Sequence, residues 1–459
     1  MRLSLEKTAN VIAEAMLAGD GDPAGMVERA TTALGKQDRW LDRLAVAAAQ
    51  RFGPRWEDTT QQELARFIAI DEGFHLVWHS AARPSVIRLV KRPPRQRPPA
   101  GPLAHVALPQ LPTAGDLAAW MNLDACQLDW FADRWRASPR QAALPLHHYL
   151  YKRVEKRDGR ARLIEIPKTH LRALQRRLLR HLLDNVPPHP AAHGFRNGRN
   201  IVTFATPHAD RGVVIRLDLA DFFVSIPAAR VVALYRTLGY PPEVARLLAR
   251  LCTNRVPDDC LREVFPRGEG NPRIQWQEYH PYRARHLPQG APTSPALANL
   301  CAFRLDTRLA GLARSFGAVY TRYADDLAFS GTDALACAAG RFCLRVAAIA
   351  LEEGFAVQHR KTRIMRQCNR QQLAGVVINR HPNLSREAFD RLKAVLTNCI
   401  RHGPASQNRE ARADFRAHLA GRVAQATQLN AARGAKLRRL FERIAWSEPC
   451  PGIDRPRER

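Results

Sequence analysis

The chain is 459 residues long, enough for two or three domains. Its 71 Lys and Arg against 43 Asp and Glu leave a formal charge of +28, spread over most of the chain rather than gathered in a tail. Base composition explains part of the surplus in a chain this rich in Ala, Arg and Pro, but not why the charge is left uncompensated, so a polyanion partner is expected, nucleic acid above all. Nine cysteines without a CxxC pair exclude a zinc knuckle or ribbon. Cys301 and Cys343 lie inside apolar stretches and read as core thiols in a reducing compartment. No apolar run reads as a membrane span and Met1-Arg2-Leu3-Ser4-Leu5-Glu6 does not open a signal peptide, so no membrane partner and a cytoplasmic location are expected.

Residues 1–90 read as a helical N-terminal extension: Thr60-Gln61-Gln62-Glu63 has capping-box form, and Leu64, Phe67 and Ile68 follow at helical spacing. Residues 91–112 are a Pro- and Arg-rich linker, opening Lys91-Arg92-Pro93-Pro94-Arg95, extended by its prolines and open either to RNA contact or to a role as solvated spacer. Residues 113–147 form a small helical segment, with Leu117, Trp120 and Met121 and then Leu128 and Phe131 at helical spacing. From 148 to 382 strands alternate with helices, Val213–Leu217 and Val376–Ile378 among the strands, which gives an α+β domain. Residues 383–459 turn helical again. Phe389, Leu392, Val395, Leu396, Cys399 and Ile400 make one apolar face, Gly403-Pro404 ends it, and Leu437, Leu440, Phe441 and Ile444 mark a last helix.

Two acidic motifs carry the chemistry. In Val319-Tyr320-Thr321-Arg322-Tyr323-Ala324-Asp325-Asp326-Leu327-Ala328-Phe329, β-prone runs flank adjacent acids, so carboxylates stand at a hairpin tip. Adjacent like charges are unfavourable unless a cation shares the site, and a hard divalent ion suits carboxylate oxygens. Upstream, the apolar run Val213-Val214-Ile215-Arg216-Leu217 ends on Asp218 with Phe222 and Phe223 following, and an acid on a buried-strand pattern is costly unless paired or metal-bound. If the two strands adjoin, Asp218 and Asp325 can share two Mg²⁺ ions roughly 3.5–4 Å apart, an arrangement suited to in-line nucleotidyl transfer.

These motifs, in this order, resemble the reverse transcriptase family over residues 148–446. The resemblance implies a right-hand polymerase of fingers, palm and thumb with an antiparallel palm sheet, and RNA-directed DNA polymerase activity. It makes Asp218, Asp325 and Asp326 the catalytic acids, with Asp218, Asp325, Asp326 and the Leu219 carbonyl as metal ligands and Asp326 the weaker of the acids. Lys156-Arg157-Asp158-Gly159-Arg160-Ala161-Arg162 resembles the fingers hairpin, where Lys156 and Arg162 would grip the triphosphate. Phe223 matches the steric gate against a 2′-hydroxyl. In Leu287-Pro288-Gln289-Gly290-Ala291, Gln289 and Gly290 would line the nucleotide pocket. Lys361 of His359-Arg360-Lys361-Thr362 would protonate the leaving pyrophosphate. Leu373-Ala374-Gly375-Val376 resembles the primer grip through Gly375, and the helices after 384 would be the thumb. Singly, each has a plainer reading: solvated charges at Lys156, Arg162 and Lys361, a turn at Gln289-Gly290, core at Phe222-Phe223, a strand-end cap at Asp218. Their order makes coincidence improbable.

Within the family the chain resembles the bacterial retron enzymes, through His193-Gly194-Phe195-Arg196-Asn197-Gly198-Arg199-Asn200 and the Ala205…His208 pattern after it. Phe204 stands where retrons usually have Asn, and Leu373-Ala374 where they usually have Val-Thr. His208 is expected to help seat the cognate RNA. The resemblance implies a structured non-coding RNA as template and primer, dNTPs, priming from a guanosine 2′-hydroxyl, a branched RNA–DNA product, a role in defence against phage and a possible accessory effector protein. Rival readings are a non-retron defence reverse transcriptase adding untemplated DNA, a group II intron-like enzyme, an RNA-dependent RNA polymerase, against which Tyr323-Ala324 and Phe223 argue, and an RNA-binding protein on an inactive polymerase fold, against which Asp218, Asp325 and Lys361 argue.

Overall fold

The computed structural model describes residues 4–81, 83–91, 94–99, 101–134, 147–155, 161–265 and 279–446. The chain divides into two compact units, Met1–Gln96 and Arg97–Arg459.

The first unit is a bundle of five helices, Leu5–Met16, Pro23–Leu34, Arg39–Phe52, Gln61–Ala69 and Glu72–Trp78. Ser4, Asp22, Thr60 and Asp71 each accept an amide from the first turn of the helix they precede, and Thr60 with Glu63 completes a reciprocal capping box. Ile12, Met16, Met26, Leu41 and Phe74 are fully buried in a core of their own. Residues 5–78 hold 8 Lys and Arg against 12 Asp and Glu. The positive charge expected over most of the chain is therefore missing from this bundle and concentrated in the rest.

In the second unit Arg97 is pinned by backbone: its N–H donates to the Gly239 carbonyl at 3.0 Å. Gly239 has φ +94°, and a Cβ there would lie 1.9 Å from the Arg97 carbonyl oxygen, so both the turn and the close approach require glycine. The helices Ala114–Met121 and Ala125–Phe131 bury Leu117, Met121 and Leu128 in the main core.

Among the described residues ten strands follow in chain order. β1 (Tyr149–Glu155) and β2 (Ala161–Pro167) form an antiparallel ribbon whose tip, including Lys156, lies outside the described residues. β3 (Val213–Ala220), β4 (Val319–Tyr323), β5 (Asp326–Gly331), β6 (Ala356–Val357) and β7 (Arg363–Arg366) make a five-stranded sheet in the order β4-β5-β3-β6, with β7 also paired to β3. Every pairing is antiparallel. β8 (Gln372–Leu373), β9 (Val376–Val377) and β10 (Asn383–Leu384) form a small antiparallel sheet. Helices and antiparallel sheets thus combine as an α+β fold.

One finding corrects the expectation that no apolar run is long enough for a membrane. The helix Asp333–Glu352 has the length and composition, with mean hydropathy 1.7. Its Leu335, Ala339, Phe342, Val346 and Ala350 are buried in the main core, while Leu344 and Leu351 on the same helix are exposed. The helices Arg386–His402, Phe415–Leu429 and Ala431–Glu442 close around their own core of Leu392, Leu396, Leu419, Val423 and Leu437.

Candidate active site

β3 is apolar on both faces. Val213, Val214, Ile215, Leu217 and Leu219 are all buried, the pattern of a strand covered on two sides. Asp218 interrupts it, 5% exposed, and in the β3–β5 register lies directly opposite Asp326. The β4–β5 turn is Ala324-Asp325, and the Asp325 carbonyl accepts the Leu219 N–H at 2.9 Å. That bond ties the turn to β3 beside Asp218, so the three acids expected at the site come together. Ala324 has φ +55°, a left-handed conformation unfavourable for a residue with a Cβ.

The acids are electrostatically frustrated. Burial pushes the Asp325 carboxyl up to about 6, with Asp218 and Asp326 adding to the rise. Burial also raises Asp326, against the opposing pull of Arg216. Arg216, two residues before Asp218, is part of the site that the sequence left unassigned; the signal was its position on the same strand face as Asp218. Lys361 Nζ donates to Asp218 Oδ1 at 2.8 Å from a short 3₁₀ turn, His359–Lys361. The Gln358 N–H just before that turn donates to the Asp218 carbonyl at 2.7 Å.

This donor set fits a hard divalent cation: carboxylates only, with the Asp325 proton held up by burial and by the neighbouring acids. Among the described residues no group of three or more His, Cys, Asp and Glu is arranged as a metal cage. Magnesium suits such a site, because it is commonly held by one or two carboxylates plus substrate phosphates rather than by an all-protein cage.

Phe223 lies within one aromatic cluster, 5.6 Å from Phe222 and 6.0 Å from Phe195, ring centre to ring centre. Phe222 is buried against Phe355 while Phe223 is half-buried. Phe195, 49% exposed and at φ +57°, is a further member that the sequence reading quoted but gave no role. Gln289 and Gly290 stand against β2: the Gln289 carbonyl accepts the Glu165 N–H at 2.9 Å. Gly290 has φ +131°, and a Cβ there would meet the Glu165 carbonyl oxygen at 2.8 Å. Under this contact the Glu165 carboxylate is buried, bound to His286 Nε2 at 2.9 Å and Asn254 Nδ2 at 2.7 Å. Arg162 sits on β2, opposite Val154. Gly375 is exposed in the β8–β9 turn, where Ala374 (φ +45°) and Gly375 (φ +86°) both adopt the positive angles of a two-residue hairpin loop.

His208 is the clear departure. It is fully buried, with Nδ1 2.7 Å from Ser330 Oγ on β5 and Nε2 2.8 Å from Thr321 Oγ1 on β4. It therefore offers no surface to RNA, and any help it gives in seating the cognate RNA runs through its place as a strut behind the acid-bearing hairpin.

Residues 154–382 match the family model described as reverse transcriptase (RNA-dependent DNA polymerase). The chain is 42% identical over 343 residues to the retron Mx65 reverse transcriptase of Myxococcus xanthus, covering 73% of each protein. The chain belongs to the retron reverse transcriptase family. Two more relatives are the retron Mx162 reverse transcriptase of Myxococcus xanthus, 37% identical over 59% of this chain and 54% of that protein, and the retron Ec86 reverse transcriptase of Escherichia coli, 32% identical over 52% of this chain and 67% of that protein. The enzyme is thus an RNA-directed DNA polymerase that copies an RNA template with dNTPs, in a family with the right-hand polymerase fold and divalent-metal chemistry.

Proposed function

We propose that the enzyme copies part of a structured non-coding RNA into DNA, starting from a guanosine 2′-hydroxyl and leaving a branched RNA–DNA hybrid, as part of cytoplasmic defence against phage. The convergence of Asp218, Asp325 and Asp326 on one corner of the β3–β5 pair carries the polymerase chemistry. The retron relatives support the choice of template. In this reading β1 and β2 belong to the fingers, the five-stranded sheet is the palm, and the three helices after 386 are the thumb.

Two Mg²⁺ ions bound at the acids would lower the pKa of the attacking hydroxyl and neutralise triphosphate charge. The chain's own residues do the rest. Asp218 and Asp325 hold the ions, with Asp326 and the Leu219 carbonyl as further ligands. Lys156 and Arg162 grip the triphosphate. Phe223 fills the space of a ribose 2′-hydroxyl, Gln289 and Gly290 border the incoming base, and Gly375 supports the primer. Lys361 leaves Asp218 to give its proton to pyrophosphate.

The charge distribution supports assigning RNA to the second unit, because the acidic five-helix bundle repels phosphates. The bundle, residues 5–78, is then the part that would meet an accessory effector protein. Sequencing of nucleic acid that co-purifies with the protein tests the reading. A branched hybrid with one fixed RNA is the expected result; DNA of random sequence would favour an untemplated defence polymerase and overturn it.

A further inference from the structure

The residue before the Tyr-Ala-Asp-Asp stretch is Arg322, near the end of the outer strand β4, its guanidinium with no exposure at all. Four of its N–H directions are taken. Nε and Nη2 donate to Asp306 Oδ1 at 2.8 Å and Oδ2 at 2.6 Å, a bidentate pair between two fully buried residues. Nη1 donates to Asn299 Oδ1 at 3.0 Å and to the Ala324 carbonyl at 3.0 Å. Tyr320 completes the cluster, its hydroxyl donating to Asp306 Oδ1 at 2.7 Å.

The partners come from separate parts of the chain. Asp306 sits on the helix Phe303–Ser315 and Asn299 on Ser294–Cys301. Asn299 Nδ2 donates onward to the Gly194 carbonyl at 2.8 Å. Gly194 lies so close to the turn that a Cβ there would stand 2.6 Å from the Ala324 nitrogen. The Arg322 backbone is clamped as well: its N–H donates to Ala191 O at 2.7 Å and its carbonyl accepts the His193 N–H at 2.8 Å. Arg322 thus grips the carbonyl of Ala324, the left-handed residue that turns the chain into Asp325.

A planar fork is the side chain that can do this. Lysine would supply the charge but not four fixed donors. Without the grip, Ala324 would relax from its unfavourable conformation, and the Asp325 carboxylate would swing with it. We propose that Arg322, with Asp306 and Asn299, is a positioning bracket that fixes the Ala324–Asp325 turn and thereby sets metal affinity at the acids. The bracket rests on the polymerase reading of the site. It also couples the turn to the Ser294–Cys301 helix, which starts just after Gln289-Gly290, so nucleotide-side and metal-side elements share one buried anchor.

The experiment is Mn²⁺ binding to the full chain, measured as free ion by electron paramagnetic resonance, alongside steady-state primer extension and thermal melting. Asn299→Ala removes one arm and leaves the Arg322–Asp306 pair. Arg322→Lys keeps charge and loses the fork. Leu305→Ala, a buried apolar loss on the Asp306 helix, controls for simple destabilisation. The expected result is a loss of about tenfold in Mn²⁺ affinity for Asn299→Ala and more for Arg322→Lys, the range typical of partners that orient metal ligands, with KM for dNTP near wild type. Leu305→Ala lowers the melting temperature and leaves Mn²⁺ affinity unchanged. Wild-type Mn²⁺ affinity in Asn299→Ala overturns the bracket, whatever its melting temperature, and decides the matter alone should Arg322→Lys not fold. Absence of both Mn²⁺ binding and primer extension in the wild type overturns the polymerase reading itself.

Discussion

Arg216 Nε and Nη2 both donate to the same oxygen of Asp326, Oδ1, at 2.9 and 2.6 Å. Among the described residues no cation stands at ion-pair distance from Asp325. The two adjacent acids therefore do different work. Asp325 is left wholly for an ion, while Asp326, tied through Oδ1 to Arg216 on β3, has only Oδ2 to offer one and is the weaker ligand. Asp325→Asn is expected to abolish primer extension with RNA binding retained. Asp326→Asn keeps a hydrogen-bond acceptor for Arg216 and is expected to lose only about ten- to a hundredfold, the range for groups that orient metal ligands. Single-turnover extension by the two variants checks this; equal losses would make Asp326 a full ligand.

The raised carboxyl of Asp325 gives metal binding a pH dependence. At pH 7 a group near 6 is mostly ionised, and at pH 5 mostly protonated. A metal must displace that proton, so its half-saturating concentration is expected to rise about tenfold between pH 7 and pH 5. Asp326, held by Arg216, adds less. A metal titration of extension rate at several pH values measures the slope, and a flat response would place the titrating acid elsewhere.

The acids were legible in the sequence because a charge on an otherwise apolar strand breaks the pattern, as Asp218 does between Leu217 and Leu219. Their hairpin was legible from two β-prone runs around the acids. The supports were not. Arg322 lies in Val-Tyr-Thr-Arg-Tyr, where alternation places arginine on an open face; it is buried because the Phe303–Ser315 helix covers that face and brings Asp306 to it. Asp306 in turn reads as a surface acid of an amphipathic helix. Partners so separated in the chain meet only through the tertiary fold, and the same holds for His208, whose neighbours lie 113 and 122 residues away. The acidic five-helix bundle was hidden by a net charge summed over the chain.

Phe195 and Phe223 pack as a tilted pair, 6.0 Å between ring centres. If Phe223 excludes the 2′-hydroxyl, Phe195 limits how far that ring can retreat. Phe223→Ala is expected to raise the ribonucleotide share of incorporation on the order of tenfold or more, and Phe195→Ala by a smaller factor in the same direction. Competition between dGTP and GTP in single-nucleotide extension reads both. An unchanged sugar preference in Phe223→Ala would remove it from the gate, and an unchanged preference in Phe195→Ala alone would remove only its supporting role.

His208 bridges β4 and β5 as a neutral imidazole. Thr321 Oγ1 donates to the Phe204 carbonyl at 3.1 Å, so it accepts from His208 Nε2–H, and Nδ1 accepts from the Ser330 hydroxyl. Burial pushes the ring down to about 3, with His193 and Arg211 adding to the fall. In the unfolded chain it returns to about 6.5. Between pH 3 and 6.5 the unfolded state thus binds the extra proton, so stability from this group is fully present above 6.5 and is lost as pH falls, by about 1.4 kcal/mol per unit. His193, lowered to about 4, acts in the same direction, so the wild type is expected to weaken in acid for more than one reason. His208→Gln keeps polar contact and cannot titrate. It is expected to be less stable than wild type at pH 7.5 and to close that gap as pH falls to 5, measured by urea unfolding across the range. Parallel stability curves for the two proteins would mean that His208 titrates in the folded hairpin as it does in the unfolded chain.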